Sequence, residues 1–219
     1  MLLAGCAGAV GDAPRAPAPR PAEPGWAAAL PAGHTAWDNA SLARVFVRLH
    51  FDTEWGGRRA RLLRHAGPVT LALEGEGARA YRPFLARLAD YLRRHAGLAV
   101  HRARRDATVT ARLVPGPAFA EALPAAACVL VPGDTPWATF AAAPSRLGGD
   151  AMLRLDRAGR MTVFVPRSAP PHAIRSCLIE EIVQALGPIN DLYGLGPSIF
   201  NDDGAHVWPT RLDLLMLRV

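Results

Sequence analysis

The stretch "SCLIEEIVQALGPINDLYG", Ser176 to Gly194, decides how this chain is read. Ile179, Ile182, Val183 and Leu186 recur at i, i+3, i+4 and i+7, the spacing of one helical stripe. A helix is predicted over 171–186, and the chain leaves it at Gly187. Glu180, Glu181 and Gln184 lie off the stripe. By that spacing alone, the helix packs by one face and turns its acids to water.

The order of the polar residues adds a second expectation. Side chains at i and i+4 project from one helix face. In zinc peptidases with H-E-x-x-H this sets two ligands beside a general-base Glu, and the longer H-E-x-x-H-x-x-G-x-x-H adds a glycine and a third ligand. Here Glu180 and Gln184 stand at the first two ligand positions, Glu181 at the base, Gly187 at the glycine and Asn190 at the third ligand. "PSIFND" (197–202) places Phe200 where those enzymes carry a Met in a "SIM-N" turn, and "WPTRLDLLMLRV" is similar to their following "LTPLDIAALQ".

The donor chemistry opposes zinc. Zinc favours imidazole and thiolate, whereas amide oxygens are weak, hard donors suited to Ca, Mg or Mn. Without a metal, water keeps a pKa near ~15.7 rather than about 7. Glu181, the base of an active version, then has nothing to deprotonate. The expectation is no cofactor. The alternative is a divalent cation on Glu180, Gln184 and Asp191, beside Asn190. Acid–base work on a saccharide by Glu180 and Glu181 is disfavoured, because helix neighbours point about 100° apart.

"CLIEEIVQALGPINDLYG…SIFNDD…RLDLLMLRV" resembles a domain of unknown function from Gram-negative bacteria, many of whose members are described as lipoproteins. The resemblance is specific over 171–219 and looser at "GPVTLALEG" and "HAGLAV". It implies an α+β, zincin-like fold with a small mixed β-sheet, a central helix (171–186) and a C-terminal helix. Gly187, Ser198, Phe200, Asn201 and Asp213 are then structural positions of a retained helix–glycine–turn scaffold. No activity is implied. In similar proteins the final "LRV" runs on into an "LYDP"-like tail.

Upstream, "SLARVFVRLHF" (41–51) has helical spacing and "PVTLALEG" (68–75) reads as a strand. "YRPFLARLADYLRRHAG" is a helix with Pro83 in its first turn, a stripe of Leu85, Leu88, Ala89 and Leu92, and Gly97 as its stop. "DATVTARLVPG" (106–116), "AACVLVPG" (126–133) and "GRMTVFVPR" (159–167) read as strands, the last able to hairpin with "AMLRLD" (151–156) after a turn at Ala158-Gly159. Residues 36–219 form one domain on this reading.

The N-terminus reads differently. Leu3-Ala4-Gly5-Cys6 matches a bacterial lipobox, so residues 1–6 are expected to be the remnant of a signal sequence, with Cys6 lipidated. Residues 7–35, rich in Ala and Pro, suit an extended tether that buries no core. The expected location is the cell envelope, facing the periplasm, with Ala7 after the Cys favouring the outer over the inner membrane. Cys128 and Cys177 are then either a disulfide, the favoured reading, or two buried thiols.

Net charge is +6 and every basic residue is Arg, which fits a GC-rich genome and weakens any inference to nucleic acid. Anionic lipid or another polyanion suits the charge better. Glu180 or Glu181 has possible partners in Arg175 and Arg211. His34, His50, His95 and His101 read as surface residues. His172 near Cys177 is spaced poorly for a nucleophilic pair. Asn201, Asp202 and Asp203 suit turn capping rather than calcium. The functional expectation is a non-catalytic binding or scaffolding protein of the envelope, with an unknown protein or peptide partner and no nucleic acid. The alternative is a metal-dependent, peptidase-like hydrolase. Genomic DNA upstream of Met1 tests the anchor: an in-frame basic start followed by apolar codons is expected, and an in-frame stop would remove it.

Overall fold

The computed structural model describes residues 38–155, 159–201 and 206–218. Cys6, the tether, His34, Asp202, Asp203 and Ala158 lie outside them. The elements run α1 (Asn39–Phe51), β1 (Val69–Glu74), α2 (Ala78–Ala96), β2 (Val100–Arg102), β3 (Val109–Val114), α3 (Gly116–Ala122), β4 (Val129–Pro132) and α4 (Trp137–Ala141). A π-helical turn (Arg146–Asp150) and the short α5 (Ala151–Arg154) lead to β5 (Met161–Pro166), α6 (Pro171–Gln184) and α7 (Arg211–Met216).

The five strands form one sheet in the order β2-β1-β3-β5-β4. All neighbours are parallel except β4, which runs antiparallel to β5 at the edge. The fold is thus mixed α/β with a mostly parallel sheet, and its sheet is larger than expected. Parallel strands need both faces covered, and both are. Val163 and Val165 of β5 face the main core with α2 and α6. Phe164, between them, faces a second cluster with Phe119 of α3 and Phe140 of α4. Phe164 stacks on Phe140 at 5.2 Å and meets Trp137 edge-on at 5.1 Å.

Three local expectations are corrected. "AMLRLD" supplies helix α5 rather than a hairpin strand, and β5 pairs with β3 and β4 instead. Pro83 lies inside α2, which begins five residues earlier after Gly77 at φ 82°; its ring sits on the exposed face. His50 is buried, 4 % exposed, because it belongs to the inner face of α1 with Val45 and Leu49. Its ring stacks on Phe46 at 4.1 Å and its Nδ1 lies 3.0 Å from the Phe46 carbonyl oxygen. Burial pushes its pKa down to about 4.

Cys128 and Cys177 form a disulfide with Cα atoms 5.9 Å apart. It ties the residue before β4 to the middle of α6, so the antiparallel edge strand and the helix move as one piece. It also removes Cys177 from any pairing with His172. The bond spans 49 residues, and in the chain-entropy model a loop of that size contributes about 4 kcal/mol. Replacing both cysteines by Ser should lower the melting temperature by on the order of 10 °C. Thermal unfolding followed by circular dichroism checks this, and an unchanged midpoint would show that the bond adds nothing.

Candidate functional site

Helix α6 is buried nearly all round. Ile174, Cys177, Leu178, Ile179, Ile182 and Val183 are in the core, packed against β3, β4, β5 and α2. The polar side is buried too: Glu181 is 4 % and Gln184 1 % exposed. The expectation of acids turned to water fails here. Spacing reports one packed face, whereas loops after α1 and after Gly187 cover the other.

Gln184 organises that covered face. Its side-chain amide nitrogen donates to Glu54 Oε1 at 2.7 Å and to Asp191 Oδ1 at 3.0 Å. Glu54 comes from the loop after α1 and is exposed, while Asp191 and Glu180 are half-buried. Glu54, Glu180 and Asp191 thus form an acidic site with the buried Glu181 and Gln184 as its floor. Glu54 is the member that sequence reasoning missed. Its neighbour Trp55 is seated on Gly148 and Gly149 of the π-helical turn, where a Cβ on Gly148 would stand 2.4 Å from the indole. Two consecutive glycines therefore admit the ring that holds the Glu54 loop down.

Burial, then the carboxylates of Glu54, Glu180 and Asp191, raise the pKa of Glu181 well above the ordinary carboxylate range. Arg175 and Arg211, expected as partners for Glu180 or Glu181, are both exposed; the charges that act on Glu181 are acids. Glu181 Oε2 and Gln184 Oε1 are buried without a hydrogen-bond partner.

The remaining expected positions take structural contacts. Gly187 has φ 154°, and a Cβ there would lie 3.3 Å from the Leu63 carbonyl oxygen and 3.5 Å from the His50 ring. Asn190 Nδ2 donates to the Arg48 carbonyl at 3.3 Å, pointing at α1 rather than into the acidic site. Ser198 Oγ donates to Asp213 Oδ1, while Asp213 Oδ2 accepts from Ile199 N at 3.1 Å and Thr210 N at 2.6 Å. Asp213 is fully buried and sits in the first turn of α7, within a capping box with Thr210. Burial raises its pKa against these hydrogen bonds. Asn201 accepts from Gly194 N at 2.9 Å and donates to the Gly196 carbonyl at 3.1 Å. Phe200 is fully buried.

The donor set does not fit zinc. It has no imidazole or thiolate, Asn190 is turned away, and the Gln184 amide presents N–H to the carboxylates. Among the described residues no three His, Cys, Asp or Glu side chains stand where they could hold a metal ion.

With this geometry in place, residues 39–219 match the family described as a protein of unknown function (DUF2927). No curated protein matches the chain.

The raised pKa of Glu181 has a testable sign. Below its reference value of 4.5 the acid is protonated both folded and unfolded, and it does not oppose folding. Above that value the unfolded chain releases the proton while the fold retains it, so stability falls as pH rises toward the raised pKa. Each unit of elevation equals about 1.4 kcal/mol. Glu181→Gln, neutral and of the same size, should match the parent at pH 4 and exceed its melting temperature by roughly 3–6 °C per unit near pH 8. A difference independent of pH would show that Glu181 does not titrate against folding.

Proposed function

We propose that this chain, which belongs to the DUF2927 family, is a zincin-like protein whose peptidase-type helix serves binding or scaffolding in the cell envelope and not hydrolysis. The observation that carries this reading is the double hydrogen bond of Gln184. An –NH₂ group lies between the carboxylates of Glu54 and Asp191 and donates to both, so it occupies the place between them that a shared cation would take. Gly187, the Ser198–Asn201 turn and Asp213 keep the scaffold, and each is held by contacts within the protein.

The binding role draws support from the surface beside the site. Tyr193 is 87 % exposed on the loop that carries Asp191, and Tyr is a residue type enriched at protein interfaces. Glu54, also exposed, gives the same surface a negative charge. The partner is an envelope protein or peptide. The envelope location rests on the lipobox at Cys6 and on the Cys128–Cys177 pair, since disulfides persist in oxidising compartments. The domain then faces the periplasm from a lipid anchor, on the outer membrane by the residue after Cys6.

Elemental analysis by mass spectrometry tests the reading on the chain from Ala7 onward, purified without chelators or a histidine tag. The expected result is less than about a tenth of an equivalent of any metal, with Gln184→His raising zinc uptake because imidazole is a far better ligand than an amide. One metal per chain, lost in Glu54→Gln, would overturn the proposal and restore a metal-dependent hydrolase.

A further inference from the structure

A second surface feature lies outside the acidic site. An open cleft of ≈ 380 Å³ is lined by Leu73, Arg82, Leu85, Arg102, Ala103 and Arg104. Leu73 is near the end of β1, Arg102 ends β2, and Arg82 and Leu85 come from the N-terminal half of α2. The cleft thus opens beside the carboxyl ends of two parallel strands, β1 and β2.

All three arginines are exposed. The acids near these arginines in the sequence pair elsewhere. Glu74 pairs with Arg112, Glu76 with Arg167, Asp90 with Arg93, and Asp106 with Arg160. Among the described residues no ion pair joins a carboxylate to Arg82, Arg102 or Arg104. Three guanidiniums therefore line one cleft with a floor of Leu73 and Leu85, both buried. The guanidinium fork matches phosphate oxygens two at a time, and it keeps its charge at every relevant pH.

We propose that Arg82, Arg102 and Arg104 form a binding site for a phosphate group. The site is independent of the acidic group on α6. The phosphate belongs either to a lipid headgroup or to a small soluble phosphate, and the chemistry of recognition is the same for both.

Two assays on the 219-residue chain separate the sources: calorimetric titration with inorganic phosphate and pyrophosphate, and cosedimentation with phosphatidylglycerol vesicles against phosphatidylcholine vesicles. Binding is expected in at least one arm. It should weaken about tenfold with each Arg→Gln change in the cleft, as charged hydrogen bonds of this type predict, and fall steeply with added salt. Arg61→Gln, Arg146→Gln and Arg175→Gln, all exposed and outside the cleft, combine into a control with the same net charge. That control should stay within about twofold of the parent, because screening leaves distant surface charges little influence. Binding in the vesicle arm alone assigns a lipid headgroup, and binding in the titration alone assigns a soluble phosphate. Failure in both arms, or equal loss in the control and the cleft triple variant, overturns the site.

Discussion

One side-chain amide ties the loop after α1 to helix α6 and to the chain just beyond it. Gln184 sits at the end of α6, Glu54 follows α1 and Asp191 follows the glycine exit, and the two hydrogen bonds from the amide nitrogen join them. A hydrogen bond to an ionised acceptor contributes roughly 1.5–3 kcal/mol. The geometric consequence is larger. The loop after α1 must lie over α6 for Glu54 to reach, and Trp55 must then enter the space left by Gly148 and Gly149. The π-helical turn, an irregularity with an extra residue, is where that space is made.

A second polar contact does for the C-terminal part what Gln184 does for the middle. Asp213 is one buried carboxylate with three donors, from Ser198, Ile199 and Thr210. It caps α7 and fixes the 197–201 turn in one step, and Phe200 is carried into the core by the same turn. Removing the carboxylate would leave the N–H groups of Ile199 and Thr210 without this acceptor inside the protein, a larger penalty than the bonds contribute. Asn201 extends the lock to the loop at Gly194 and Gly196. The acidic site is therefore bounded on both sides by rigid polar contacts rather than by packing alone.

How much of this the sequence carried depends on the range of the signal. The stripe in α2 and the apolar runs of β1, β3, β4 and β5 were legible, because each is a local period that burial enforces. Strand β2 was not: it has three residues, two of them exposed, and its pairing with β1 leaves no period to read. Helices α3 and α4 lie in Ala- and Pro-rich segments with a single buried Phe each. "AMLRLD" reads as alternation, yet the fold spends it on a helical turn whose Leu153 lies against Gly57. Within the candidate site, the residues of α6 and its exit could be picked out by spacing. Glu54 could not, since 130 residues separate it from Gln184 and only tertiary structure joins them. His50 was misplaced for a related reason: Arg48 and Asp52 give its surroundings a polar look, while its own position belongs to the inner face of α1.

The two open atoms at the floor of the site differ in kind. Gln184 Oε1 is an acceptor with no donor, and Glu181 Oε2 belongs to a group that burial and three neighbouring acids drive toward its protonated form. A buried acceptor left unpaired costs about 1–3 kcal/mol. Buried ionised acids cost more, unless an opposite charge lies beside them. The amide of Gln184 neutralises none of that charge, although it orients Glu54 and Asp191 by hydrogen bonding. Burial and the neighbouring carboxylates of Glu54, Glu180 and Asp191 thus favour the neutral form of Glu181 at the floor of the site.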